Sequence, residues 1–269
     1  MSDVLPVDLA DAFAASAERL PPELSVNWHR EVDSTNDLAL ALAARDAPHG
    51  TVVLADAQRA GRGRRGRAWF SPPGAGLYVS AIVRGEFGAA LPLLTLAAGA
   101  ATAQAVAATT GLPVELKWPN DLVIGRPWRK LAGILCESTG AAASLDAVVV
   151  GIGVNLQPAA YPPELAGVAT SIEVELGRAV DRAPLVAELL SLLYGAARQL
   201  SAGNRSELLD SWRKFGFSGL NGAAVRWHEQ GAERRGRARD LDEAGALLVE
   251  SDGRIERIIA GEVTWDQRR

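Results

Sequence analysis

One cysteine, three histidines and no excess of positive charge are what this chain has least to offer, and each shortage closes a set of functions. A lone thiol, Cys136, excludes an intrachain disulfide, and its place in the apolar run 131–136 predicts a core side chain in a protein of a reducing compartment. His29, His49 and His228 stand far apart in sequence, without the close pairs of a zinc site or the order of a Ser/His/Asp set, so no protein-held transition metal is expected. The first residues lack a basic stretch followed by an apolar one, which predicts no export signal; residues 9–20 read only as mildly amphipathic. The longest small-apolar run, 91–108, is mostly alanine and carries Thr95, Thr102 and Gln104, so it predicts a core helix instead of a membrane span. The expectation from these features is a cytoplasmic protein. A GxxxxGK[ST] phosphate loop is missing as well, so any nucleotide site must be built another way.

What is present is a normal supply of apolar residues, 48% of 269, with a net charge of −4. That is ample for a packed core, and the surface as a whole does not attract nucleic acid. One segment runs against this background. Arg59-Ala60-Gly61-Arg62-Gly63-Arg64-Arg65-Gly66-Arg67 holds five arginines and three glycines in nine residues. Arginine supplies a fixed charge and a planar fork that fits carboxylate or phosphate oxygens, and glycine lets backbone N–H groups close on a ligand. The segment predicts an anion site, with nucleic acid and small phosphates both open at this point.

Hydrophobic periodicity frames that loop. Ser34-Thr35-Asn36-Asp37 ahead of Leu38, Leu40 and Leu42 predicts a capped helix over 36–45, with its amino end available to a ligand. Strands are expected over 51–55 and 77–83, so the basic loop hangs between two strands. A helix over 91–110 ends at Gly111-Leu112-Pro113, and short strands follow over 114–117, 122–124 and 131–137. The β-branched run 146–154 predicts a strand buried on both faces, and helices over 183–200 and 206–215 complete a mixed α and β domain. From Gly216 the texture changes to short strands over 223–227, 234–241, 246–250, 255–259 and 262–265, the spacing of a small β-barrel. The expectation is an α+β protein with a main domain over 1–217 and a β-barrel over 218–269.

Four segments carry more than packing. Trp69-Phe70 and Ser71-Pro72-Pro73-Gly74 follow the basic loop at once and bring aromatic surface able to cover a planar ring. Lys117-Trp118-Pro119-Asn120-Asp121 sets a cation, an indole, a rigid turn, an amide and a carboxylate between two apolar stretches; an amide such as Asn120 suits the amine and ring nitrogen of adenine, although a proline turn with an Asn/Asp cap reads equally well. Lys130-Leu131-Ala132-Gly133-Ile134-Leu135 puts a lysine at the mouth of an apolar strand, with Gly133 giving backbone access. Gly151-Ile152-Gly153-Val154-Asn155 ends a buried strand in two glycines and an amide, where ligand approach and tight helix packing compete as readings. Several cations beside amides and exposed backbone, without a nucleophile and base pair, suit the activation of a carboxylate by a nucleotide, in which two anions must meet.

In order, these segments resemble the motifs of biotin protein ligases, and the terminal Asp240-Leu241-Asp242, Gly253 and Gly261-Glu262-Val263 resemble that family's SH3-like barrel. The resemblance implies a mixed-sheet catalytic domain related to class II aminoacyl-tRNA synthetases. It also implies two half-reactions: biotin and ATP give biotinyl-5′-AMP and pyrophosphate, and a lysine of a biotin carboxyl carrier domain then takes the biotin as an amide. Biotin and ATP are thus the substrates, with Mg²⁺ accompanying the nucleotide. By the same resemblance Ser34, Thr35 and Gln58 fall to the biotin ureido ring, with backbone at Gly61 and Gly133, and Asn36 is a further biotin contact. Arg62 joins the biotin contacts, and Arg64 and Lys130 are the catalytic cations that bridge the biotin carboxylate and α-phosphate. Arg67, Trp69, Asn120 and Asn155 fall to the nucleotide, Trp69 as the aromatic cover.

Repressor members of the family carry a winged helix-turn-helix domain longer than the 33 residues that precede Ser34, so a monofunctional ligase without DNA binding is expected. The segment Gly125-Arg126-Pro127-Trp128-Arg129 is bulky for the turn before Lys130, and adenine contacts near Ala169-Thr170-Ser171 stay unassigned. Neither membrane contact nor a metal held by side chains is expected, and a homodimer is compatible with the motifs. The alternatives are a lipoate or other acyl-carrier ligase on the same fold, and a nucleic-acid binder using the basic loop with the second cluster Arg234-Arg235-Gly236-Arg237-Ala238-Arg239. An exposed barrel strand explains that second cluster better. The glycines of the first loop predict a lid, mobile when empty and folded over the intermediate when full.

Overall fold

A computed structural model describes residues 2–85, 87, 90–139, 147–229, 231–259, 261 and 263–266. α1 (Val7–Ala15) and a 3₁₀ turn (Ala17–Arg19) bury Leu9, Phe13 and Leu20, the apolar positions of the amphipathic stretch. Seven strands then form one sheet in the order β1-β2-β3-β7-β6-β5-β4. These are β1 (Ser25–Val32), β2 (Thr51–Gln58), β3 (Gly76–Val83), β4 (Glu115–Lys117), β5 (Asp121–Ile124), β6 (Arg129–Thr139) and β7 (Ala147–Asn155). Only β1 and β2 pair in parallel. A parallel pair needs a crossover, and α2 (Thr35–Ala43) supplies it, which lays this helix on one face of the sheet.

Alternation along β7 sorts the two faces. Val148, Val150, Ile152 and Val154 join the main core, whereas Val149 packs under α2 with Ala39, Ala43, Val53 and Ile82. The main core lies between the sheet and α3 (Leu93–Thr110), α5 (Arg182–Ser201) and α6 (Arg205–Leu220), with the short α4 (Ile172–Leu176) between β7 and α5. α3 has the length and apolar composition of a membrane-crossing helix, yet 67% of it is buried inside the fold, as a helix apolar on every side must be in a globular domain. Gly111 ends it in a left-handed conformation at φ 76°.

Differences from the sequence-based expectation have physical causes. β1 was not anticipated, because His29, Arg30 and Glu31 interrupt its apolar pattern; it is an edge strand, where solvent accepts those side chains. The domain break expected between 217 and 218 falls inside α6, which runs on through Gly216 and Gly219 to Leu220. Those glycines mark packing, not an end: a Cβ at Gly216 would stand 2.2 Å from the Trp212 ring, and one at Gly219 would stand 3.0 Å from Trp265. Asp146 and Glu262, the expected first residues of two strands, lie outside the described residues. Cys136 is half-buried and packs against the main core; burial pushes its thiol up to about 11.

Beyond α6, β8 (Ala224–Glu229), β9 (Ala232–Leu241), β10 (Leu247–Ser251), β11 (Arg254–Ile258) and β12 (Val263–Trp265) form an antiparallel sheet in the order β11-β10-β9-β8-β12. The bulky 125–129 turn packs against this unit, with the Trp128 and Trp265 rings 5.9 Å apart, and Trp118 Nε1 donates to the Gly245 carbonyl at 3.0 Å. Three arginines of the second cluster pair with carboxylates, Arg234 with Glu256 at 2.7 Å, Arg235 with Glu233 at 2.7 Å and Arg239 with Glu250 at 2.5 Å, while Arg237 donates to the Gly222 carbonyl at 3.1 Å.

Candidate active site

The amino end of α2, the end of β2 and the glycine-bearing stretches of β6 and β7 converge on the sheet face that α2 only partly covers. Ser34 caps α2 by accepting from Asp37 N at 3.3 Å, which uses an oxygen lone pair and not the hydroxyl hydrogen. Thr35 N and Thr35 Oγ1 donate to Gln58 Oε1 at 2.8 and 3.1 Å, and Gln58 Nε2 donates to Ser71 Oγ at 2.9 Å. Ser71 Oγ in turn donates to the Trp69 carbonyl at 3.0 Å, so the Gln58 amide has one satisfactory orientation. Ser34, Thr35, Asn36 and Gln58 line one cavity together with Arg62, Arg64 and Gly133, whereas Gly61 is not part of its lining. It presents hydroxyl and amide groups to a neutral ligand that carries both N–H and C=O.

The two glycines of β7 divide the competing readings between them. A Cβ on Gly151 would stand 2.0 Å from Asn36 Oδ1, so this glycine admits a buried helix side chain. A Cβ on Gly153 would stand 2.3 Å from Trp69 Nε1, and one on its cross-strand partner Gly133 would stand 3.1 Å from the same ring, so this pair forms a flat bed for the indole. Gly151→Ala is expected to lower stability by about 2 kcal/mol, as overpacking against a fixed neighbour does. A fall in the urea midpoint with an unchanged slope would register it; an unchanged midpoint would mean that Asn36 yields freely.

The basic loop is a small hairpin and not an open patch. Arg62 and Ala68 pair as an antiparallel bridge, Gly63 N donates to the Arg67 carbonyl at 2.7 Å, and the tip Arg64–Gly66 turns through Arg65 at φ 58° and Gly66 at φ 72°. Its arginines are divided among distinct partners. Arg59 pairs with Glu31 and Asp33 at 2.8 Å each, and Arg62 pairs with Asp37 and Glu137. The hydrogen bond to Asp37 chiefly raises the Arg62 pKa above its ordinary value. Arg64 instead turns inward and donates to Asn120 Oδ1 at 2.9 Å; burial, then the charge of Arg65, pulls its pKa below the usual guanidinium value.

Asn120 is locked in turn: its Nδ2 donates to the Ile134 carbonyl and Ile134 N donates to the Asn120 carbonyl, each at 3.0 Å, which leaves Oδ1 for Arg64. Lys130 Nζ pairs with Asp121 at 2.6 Å and lies 5.2 Å from the Trp69 ring centre. Asn155 Nδ2 donates to the Thr170 carbonyl at 2.9 Å and to the Lys130 carbonyl at 3.4 Å, while Lys130 and Ala169 pair as a parallel bridge. The segment around 169–171 is therefore an added rim beside the lysine, held through Asn155. A second cavity of about 430 Å³ lies beyond this point, lined by Arg67, Trp69, Phe70, Asn155, Tyr161 and Val168 among others. Both cavities share Arg64, Asn120, Lys130 and Trp69. Asp121 and Glu137 were not among the expected site residues; Asp121 closes the Lys117–Asp121 segment and Glu137 stands two residues past Leu135, so the signal was an acid at or just beyond the end of a recognised segment.

A neutral hydrogen-bonding pocket that opens between two cations into a larger cavity is the layout of an acyl-activating ligase, which must bring a carboxylate to a phosphate. Known proteins agree. Residues 28–155 match the biotin/lipoate A/B protein ligase family, and residues 228–264 match the biotin protein ligase C-terminal domain. The chain is 33% identical to the biotin–[acetyl-CoA-carboxylase] ligase of Paracoccus denitrificans over 86% of its own length and 96% of that protein's. It is 36% identical to the ligase of the same name from Mycobacterium tuberculosis over 87% and 86%. The biotin protein ligase of Aquifex aeolicus, solved with biotin and ATP, superposes with a TM-score of 0.78 at 28% identity, covering 90% of this chain and 98% of that one. The chain belongs to the biotin protein ligase family.

Proposed function

We propose that the protein is a biotin protein ligase, which activates biotin with ATP and transfers it to a lysine of a biotin carboxyl carrier domain of a biotin-dependent carboxylase. The observation that carries this reading is the meeting of two cavities at Arg64 and Lys130. The ureido ring lies among Ser34, Thr35, Asn36 and Gln58, with backbone at Gly61 and Gly133 on either side and Arg62 holding the loop above. Its carboxylate then points between the two cations. ATP occupies the larger cavity, with Asn120 and Asn155 on its walls, Arg67 toward the phosphates and Trp69 as the cover of the adenylate.

A carboxylate oxygen of biotin attacks the α-phosphorus, the bond to the bridging oxygen breaks, and pyrophosphate leaves with that electron pair. Lys130 and Arg64 offset the repulsion between the two anions and the charge that develops on phosphorus. An uncharged lysine amine of the carrier then attacks the mixed anhydride, AMP leaves with the electron pair of the broken C–O bond, the nitrogen gives up a proton to the departing phosphate or to water, and an amide remains. Among the described residues no three His, Cys, Asp or Glu side chains converge on a metal position. Mg²⁺ binds largely through phosphates and water, and Asp121 is the carboxylate beside the larger cavity that would face it. When bound it would supply further charge neutralisation at the phosphates.

We read residues 1–217 as the catalytic unit and 218–269 as a small SH3-like barrel, with their junction in the last turn of α6. The cytoplasm is the expected location, where carrier domains and a free thiol both belong. The test is biotin-dependent exchange of pyrophosphate into ATP together with transfer of labelled biotin to an apo carrier domain. Folded protein lacking both activities would overturn the reading, and equal competition by lipoate would move it to the acyl-carrier ligases.

A further inference from the structure

We propose that Glu137 is a positioning residue that sets both the hydrogen-bond polarity of the ureido pocket and the seating of the arginine loop. The proposal rests on the ligase reading. Glu137, on β6, bridges two side chains that reach the site from different elements. One carboxylate oxygen accepts from Asn36 Nδ2 at 2.9 Å, and the other pairs with Arg62 of the loop.

The polarity follows step by step from what each group can donate. A carboxylate only accepts, and so does the Leu135 carbonyl 3.4 Å from the same nitrogen, so Asn36 must turn its nitrogen to β6 and its oxygen to Ser80. Asn36 Oδ1 also only accepts, so the single hydrogen of the fully buried Ser80 hydroxyl goes to it, across 2.6 Å. Ser80 then has only lone pairs to offer Thr35 Oγ1, 2.8 Å away. Gln58 Oε1, on the other side of Thr35, is likewise an acceptor. The Thr35 hydroxyl therefore spends its hydrogen on a protein neighbour whichever it chooses, and shows a ligand lone pairs alone. It reads an N–H, and Glu137, by holding the Ser80 hydrogen on Asn36, keeps that hydrogen from taking up a Thr35 lone pair.

The same carboxylate, with Asp37, fixes Arg62, two residues before the inward-turning Arg64. Ring recognition and loop placement are thus tied to one group. Its loss should weaken capture of biotin more than the chemistry that follows, because Arg62 keeps Asp37, Arg64 keeps Asn120 and Lys130 is untouched.

The experiment compares wild type, E137Q and E137D in pyrophosphate exchange, with biotin and with biotin methylated on a ring nitrogen as probes. Thermal melts serve as the folding control. A glutamine can turn its N–H to Asn36 or Arg62, so E137Q should raise the KM for biotin by roughly tenfold while kcat changes less than about threefold. It should also narrow the preference for biotin over the N-methyl probe, and E137D should recover part of both. An unchanged KM and preference in folded E137Q would overturn the proposal, as would an equal fall in kcat and kcat/KM with no rescue by E137D. Wild type without any biotin-dependent exchange would instead strike at the ligase reading itself.

Discussion

Replacing Lys130 with alanine is expected to lower the rate of biotin-dependent adenylate formation by about 10²–10³-fold, the scale for removing one preorganised charge from a reacting phosphate. Biotin affinity should fall by no more than about threefold, since the ureido contacts are made elsewhere. The size of the effect comes from what surrounds the lysine. Asp121 lies 2.6 Å from Nζ and the Trp69 ring holds it from the other side, so the ammonium is kept in place before any substrate arrives. With alanine there, the Asp121 carboxylate would face two incoming anions without its partner. The double variant K130A/D121N should accordingly recover part of the loss. Exchange kinetics and biotin calorimetry on the same preparations decide the matter: equal loss of binding and rate in K130A would remove the bridging role.

Much of this site could be read in the sequence because its chemistry comes in short contiguous runs. Ser34-Thr35-Asn36 is at once a helix cap and a pocket wall, and the arginine loop is legible as composition alone. What could not be read were the bonds that assign each residue one task. Asn120 and Asn155 look alike in their motifs, yet one amide holds Arg64 while the other holds the strand-like rim at Thr170. Arg59, Arg62 and Arg64 are equivalent letters, and only the fold sends the first two to carboxylates on β1, α2 and β6 and the third inward. Partners 101 residues apart, such as Asn36 and Glu137, leave no local pattern. The same reason explains the misplaced end of α6, whose glycines serve Trp212 and Trp265 and not the helix terminus.

Arg64→Gly is expected to turn a ligase that keeps its intermediate into one that sheds it. Arg64 stands at the start of the hairpin tip, half-buried, with Asn120 fixing the direction of its fork. A charged donor facing the mixed anhydride contributes roughly 1.5–3 kcal/mol, so its removal should speed the escape of biotinyl-adenylate by about 10–100-fold. Glycine also frees the tip, which depends on Arg62 and the bridge to Ala68 for its remaining hold. Lys130 is left in place, so adenylate should still form, more slowly. The released anhydride reacts with any exposed amine, and the product pattern reports this directly. Labelled biotin should appear on lysines of an unrelated protein mixed with the variant, in proportion to its concentration, while wild type marks only the carrier domain. Arg64→Lys separates charge from geometry: a point charge without the planar fork should leak less than glycine and more than arginine. Labelling of the unrelated protein that stays at the wild-type level in Arg64→Gly would mean that Trp69, lying on the Gly133 and Gly153 bed, and not the arginine, closes the site.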